Sequence, residues 1–136
     1  MQLNKGEELP NPLRVVLVDD RVTVRESLRT VLTLEDDIEV VGEAQSGREA
    51  VEVAYAVNPD IVLMDFEMPD AVGEHFDGIE ACREIKSRKL AQAVIILTVH
   101  GDQQSRHRAY AAGCDLFLEK GINTAELLHE LRRLAG

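Results

Sequence analysis

Apolar residues along the chain gather into short unbroken runs separated by longer segments of helical period. Four runs stand out: Val15 to Val18 (VVLV), Ile61 to Met64 (IVLM), Val94 to Leu97 (VIIL) and Leu116 to Leu118 (LFL). A run without polar interruption predicts a strand buried on both faces, the pattern of a parallel sheet covered by helices on each side. Ile38 to Val41, within IEVVGEA, is a further β-type run and supplies a fifth strand. The segments between them have helical ends and stripes. The first helix is predicted over 22–34, with Val24, Leu28, Val31 and Leu32 on one stripe. Ser46 followed by Glu49 is a capping box for a helix that turns Ala50, Val51, Ala54 and Val57 inward and stops before Asn58 and Pro59. A third covers 78–87, burying Ile79, Cys82 and Ile85. A weaker one over 103–112 ends at Gly113, and Asn123 caps a last helix with Leu127, Leu128, Leu131 and Leu134 as its apolar face.

Strand and helix therefore alternate five times. Right-handed crossovers turn that order into an α/β fold, a (βα)5 doubly wound five-stranded parallel sheet, for which fold analogy supplies a flavodoxin-like strand order. The length of 136 residues suits one domain. Residues 1–12 are polar, contain Pro10 and Pro12, and read as a flexible N-terminal segment ahead of an ordered domain over 13–136.

Charge and cysteine content narrow the function. Fifteen Lys and Arg against twenty-five Asp and Glu give a net charge of −10, which repels phosphate backbones and argues against direct nucleic-acid binding. No apolar run approaches the roughly 20 residues that span a bilayer, and the N-terminus lacks the plan of a secretory signal, so a cytoplasmic location and no membrane contact are expected. Cys82 and Cys114 are too few and too far apart for a disulfide framework and are expected to be small buried hydrophobes.

Ligands of such sheets bind beyond the carboxyl ends of the strands. Strand one ends in Asp19 and Asp20, strand three in Asp65, strand four in Thr98, and strand five in Glu119 and Lys120. Taken singly, an Asp in such a place is more often a helix cap or loop residue. Together they bring carboxylates, a hydroxyl and an ammonium to one rim. Hard carboxylate oxygens at close range repel one another until a divalent cation joins them, and sites with few carboxylates suit Mg²⁺ bound with a phosphate. The hydroxyl and lysine then serve the remaining phosphoryl oxygens, with one of the carboxylates as nucleophile.

The segments VLVDD (16–20), PDIVLMDFEMP (59–69), DGIEA (77–81), ILT (96–98) and AGCDLFLEK (112–120) resemble the response-regulator receiver domains of two-component signalling, over essentially all of 13–136. The resemblance implies that Asp65 is the phosphoacceptor, taking a phosphoryl group from a histidine kinase or phosphotransfer protein. It implies Mg²⁺ on the side chains of Asp20 and Asp65 and the backbone carbonyl of Glu67, with Asp19 holding the metal's waters. Lys120 would pair with one phosphoryl oxygen and Thr98 with another. Phe117 matches the family's switch aromatic, expected to turn inward on phosphorylation and so to repack the face of helix four, strand five and helix five. That face would read out to a partner, form a homodimer, or control a C-terminal output domain.

Two features depart from the common family pattern. Gly121 follows Lys120 where a proline after a cis peptide is usual, and this EKG ending resembles the LuxR-type subgroup. The stretch between Pro69 and Asp77 is about five residues longer than the family norm; it is either a tolerated surface insertion or a lid carrying Glu74, His75 or Phe76 to the site. Glu67 and His100, each two residues beyond a site residue, are expected to tune the lifetime of the phosphorylated state. His107 and His129 fall on exposed helix faces. Glu35, Asp36, Asp37, Glu39 and Glu43 are expected to form a solvated acidic face. The alternative function is a Mg²⁺-dependent phosphotransferase or phosphatase with an aspartyl nucleophile, which usually has a DxD motif and a cap domain; here Asp65 is followed by Phe66 and Glu67.

Overall fold

Every strand pairing is parallel, and the strand order in the sheet is β2-β1-β3-β4-β5. The computed structural model describes residues 11–68, 77–99 and 101–135. Within them β1 (Leu13–Val18), β2 (Ile38–Ala44), β3 (Ile61–Asp65), β4 (Ala93–Thr98) and β5 (Leu116–Glu119) alternate with α1 (Val22–Thr33), α2 (Gly47–Val57), α3 (Gly78–Ser87), α4 (Gln103–Ala111) and α5 (Thr124–Ala135). Most of the N-terminal lead-in, the 70–76 insertion with Glu74, His75 and Phe76, and His100 lie outside the described residues.

The period-2 alternation of a strand divides each apolar run between two cores. Val16 and Val18 of β1, Val62 and Met64 of β3, and Val94 and Ile96 of β4 pack with buried residues of α2, α3 and α4. Val15, Leu17, Ile61, Leu63, Ile95 and Leu97 point the other way, onto Leu32 of α1 and Leu127, Leu128 and Leu131 of α5. Helices therefore cover both faces, which explains why the inner strands show no polar interruption. Helix starts follow the capping chemistry. Ser46 accepts from the Glu49 N–H at 3.2 Å, and Asn123 from the Glu126 N–H at 2.8 Å. Asp77, which the sequence reading passed over, accepts from the N–H groups of Ile79 and Glu80 at 2.9 and 3.0 Å.

The α1 stripe faces the core, and Leu32 is its fully enclosed member. Val24, Leu28 and Val31 line an open groove of about 380 Å³ against Ile122 and Leu127, because α1 and α5 cover the sheet without closing on each other. The acidic face is also more than solvated charge. Arg132 of α5 holds Glu35 at 2.7 Å and Asp37 at 2.8 Å, exposed pairs that contribute little. Glu43, only 18% exposed in its side chain, lies between Arg25 and Arg29 of α1.

Candidate functional site

The chain leaves β1 toward β2 on one side, while β3 lies on the other, so a crevice opens where the two connections diverge. Parallel register sets Val18 beside Met64. The next residue of each strand therefore brings Asp19 and Asp65 side by side at that crevice, and Asp20 follows at its rim. Carboxylate oxygens of Asp19, Asp20 and Asp65 lie within 4.8 Å of one another. Asp19 and Asp65 are 2% and 3% exposed, whereas Asp20 faces solvent.

Lys120 crosses to this group from the far side of the sheet. Its Nζ lies 2.9 Å from Asp19 Oδ2 and 3.1 Å from Asp65 Oδ1. Its backbone N–H donates to the Thr98 carbonyl at 2.6 Å, which docks the start of the β5–α5 connection on the end of β4. Gly121 follows at φ +102°, a conformation that glycine adopts without a Cβ penalty, and the described residues contain no cis peptide. The EKG ending thus delivers the lysine through a left-handed glycine turn. Thr98 is wholly buried at the same rim.

The two buried carboxylates titrate in opposite directions. Burial, assisted by the neighbouring charge of Asp19, pushes Asp65 up despite Lys120 and the Glu67 N–H, which donates to Asp65 Oδ1 at 3.2 Å. Burial also opposes ionisation of Asp19, but there the Lys120 ammonium, the Arg21 N–H at 2.9 Å and the charges of Lys120 and Arg21 outweigh it and hold the carboxyl low. Three carboxylates facing one lysine leave an excess of negative charge. A hard divalent cation with oxygen ligands fits that donor set, with Asp19, Asp20 and Asp65 as the groups to hold it. For Glu67 the described site contact is its N–H, and its side chain is exposed.

Gly78 is a site residue that the pattern of charges did not reveal. A Cβ there would fall 2.4 Å from the backbone carbonyl oxygen of Asp65, and 3.3 Å from Cα of Phe66. Only glycine lets the N-terminus of α3 press against the phosphoacceptor candidate's own peptide. Gly78→Ala is therefore expected to lower stability by about 1–3 kcal/mol, as overpacking does, and to displace Asp65. Denaturant melts and the rate of Asp65 modification check both effects.

Phe117 points inward, at 1% exposure. The Phe66 ring meets it edge-on at 6.3 Å between centroids, the Arg106 guanidinium of α4 lies 5.2 Å from its centroid, and its N–H donates to Tyr110 Oη at 3.2 Å. Contacts from α4 and from the residue after Asp65 fill and close the space around the ring. His107 and His129 are exposed, as expected. Cys82 and Cys114 are buried free thiols pushed up by burial to about 12 and about 11, values that keep them protonated and inert. No helix among the described residues is long and apolar enough to cross a membrane.

Comparison with known proteins agrees with this geometry. Residues 15–132 match the family described as the response regulator receiver domain. Response regulator protein VraR of Staphylococcus saprophyticus is 33% identical over 122 residues, which are 90% of this chain and 56% of the relative. The Staphylococcus aureus protein of that name is 35% identical over 121 residues, 89% of this chain and 56% of the relative. The chain thus spans about half the length of the curated relatives it matches. Among solved structures, a signal receiver domain assigned to NarL of Mycobacterium tuberculosis superposes with a TM-score of 0.84 at 30% identity, covering 93% of this chain and 98% of that one. A LuxR-family two-component response regulator from Aurantimonas gives 0.82 at 31% identity, covering 92% and 86%.

Proposed function

The chain belongs to the response-regulator receiver family, and from that premise we propose that it is a switch operated by phosphorylation of Asp65. The observation that carries this reading is the Asp19, Asp20 and Asp65 group bridged by Lys120 at the β1/β3 crevice. Two of its members are buried where an ordinary surface carboxylate would not be. Receiver domains are signalling modules, and the only chemistry assigned to this one is on its own side chain.

An Asp65 carboxylate oxygen attacks the phosphorus of a phosphohistidine, the P–N bond breaks as the P–O bond forms, and the donor imidazole leaves with the electron pair. Asp20 and Asp65, with the Glu67 carbonyl, would hold a Mg²⁺ ion, whose positive charge would serve the phosphoryl oxygens in transfer. Lys120, already 3.1 Å from Asp65, neutralises another of those oxygens, and Thr98 hydrogen-bonds a third. Asp19, which shares Lys120 with Asp65, would hold the metal's waters. The product carries roughly two negative charges where one stood. Glu67 and His100 then set how fast water removes the group.

Readout follows from what touches the site. Phe66 follows Asp65 directly and meets Phe117, which Arg106 and Tyr110 of α4 enclose. Phosphorylation of Asp65 is read out through Phe117 and the α4 residues around it, and is felt on the α4, β5 and α5 face. A histidine kinase or phosphotransfer protein is the donor; the open groove between α1 and α5, which reaches Lys120, is the surface offered to it. The altered face acts on a second copy or on a C-terminal output domain such as the LuxR-type relatives imply.

Incubation with a small phosphodonor or beryllofluoride plus Mg²⁺ tests the reading. One group per chain, located on Asp65, is the expected result. Repeated turnover of a phosphate ester would instead support an aspartyl phosphatase.

A further inference from the structure

We propose that Arg25, itself anchored by Glu43, is a positioning residue that orients the acidic pair and so sets the affinity of the crevice for Mg²⁺. This rests on the reading of the crevice as a Mg²⁺-assisted phosphorylation site, and concerns residues that lie outside it. Arg25 Nη1 donates to the backbone carbonyl of Asp19 at 2.5 Å, and its Nε donates to Glu43 Oε1 at 3.1 Å. The other Glu43 oxygen ion-pairs with Arg29. Arg25 and Glu43 side chains are 14% and 18% exposed, so these charge-assisted bonds are sheltered from water.

The consequence falls on Asp20. Asp19 is fixed at every polar atom: its N–H by the Ala44 carbonyl at 3.1 Å, Oδ1 by the Arg21 N–H at 2.9 Å, Oδ2 by Lys120 at 2.9 Å, and its carbonyl by Arg25 at 2.5 Å. Asp20 is exposed and has no hydrogen-bond or ion-pair partner among the described residues. What aims its carboxylate at the crevice is the peptide plane that joins it to Asp19, and Arg25 pins that plane through its carbonyl oxygen. Glu43 at the end of β2 keeps the guanidinium in place. The arrangement links the sheet edge to the candidate metal ligands as an outer layer of support.

Charge and position give opposite predictions, which makes the proposal testable. An arginine beside a cation site repels the cation, so on electrostatic grounds alone Arg25→Ala would bind Mg²⁺ more tightly. Loss of orientation weakens binding, by about tenfold on the scale of outer-layer substitutions at metal sites. Calorimetric titration of the unphosphorylated full chain with Mg²⁺ is expected to show that weakening in Arg25→Ala. Glu43→Gln should show a smaller loss, and Arg25→Lys a partial recovery, since lysine reaches one partner but not both. Should Arg25→Ala fail to fold in metal-free melts, Arg25→Lys and Glu43→Gln carry the same measurement. Saturating Mg²⁺ should return the rate of labelling by a small phosphodonor to within about twofold of the parent chain. Unchanged or tighter Mg²⁺ binding in variants that melt normally would overturn the clamp. Failure of the parent chain to be labelled on Asp65 would overturn the phosphorylation reading instead, so the two ideas fail separately.

Discussion

Asp65→Asn is expected to abolish phosphoryl incorporation and at the same time to raise the stability of the metal-free chain at neutral pH. The first effect follows from chemistry: the amide lacks the anionic oxygen that attacks phosphorus. The second follows from the site's charge. Asp65 is 3% exposed, and its carboxyl is held above the usual range by burial and by Asp19, with Lys120 only partly compensating. A carboxyl whose folded pKa exceeds its unfolded value near 3.9 is more costly to ionise in the folded state. That cost is absent below the unfolded pKa and grows as pH rises through the folded one. Asparagine is the near-isosteric neutral form and escapes it. Asp19 runs the other way, since its lowered pKa contributes stability that is lost as pH falls through the folded value. The gap between variant and parent should therefore be small near pH 4 and reach on the order of 1 kcal/mol at pH 7, the attraction of Lys120 offsetting much of the carboxylate repulsion. Added Mg²⁺ should narrow or reverse the gap, because it stabilises only a chain that retains its ligands. Melts at both pH values, with and without Mg²⁺, together with a phosphodonor assay, measure all of this. A labelled variant, or one that melts below the parent without metal, would remove Asp65 from its assigned place.

The same residues show why the sequence could reveal the site's chemistry but not its support. Asp19, Asp65 and Thr98 each follow an apolar run directly, and Asp20 and Lys120 come one residue later. Once those runs are strands of one parallel sheet, all five must emerge on one rim, so local pattern suffices to assemble them. Arg25 and Glu43 obey no such rule. They are 18 positions apart, each looks like an ordinary surface charge on an amphipathic element, and their role exists only because α1 lies against the end of β2. Gly78 likewise is unremarkable until α3 is seen pressed on the Asp65 carbonyl. The α1 stripe was legible as an apolar face, but periodicity does not report what covers it, and here α5 leaves part of it open. Phe117 was legible as a buried aromatic. Its contacts with Arg106 and Tyr110 were not legible, because their positions over β5 are set by the placement of α4. One substitution separates the lysine's contribution to folding from its contribution to chemistry.

Replacing Lys120 by alanine should lower the stability of the metal-free chain by about 3 kcal/mol, the range seen when one partner of a buried ion pair is removed. The lysine side chain is 17% exposed and the carboxylates it bridges are 3% exposed, so little water is at hand to take over its role. Without it, Asp19 loses the hydrogen bond at 2.9 Å that helps hold its carboxyl low, and Asp65 faces Asp19 with no cation between them. The cheapest response is protonation of one carboxyl, so the loss should be largest at neutral pH and diminish toward pH 4. Mg²⁺ can answer the same repulsion from the solvent side. It should therefore restore a large part of the stability in Lys120→Ala while adding less to the parent chain, whose lysine already neutralises the pair. Catalysis should not recover with stability if, as proposed, the ammonium serves a phosphoryl oxygen of its own. Urea titrations at pH 4 and 7 with and without Mg²⁺ give the first half of the result, and the rate of Asp65 labelling at saturating Mg²⁺ gives the second. If metal restores both stability and rate, Lys120 is only a counter-charge for the empty crevice; if it restores stability alone, the lysine acts on the phosphoryl group itself.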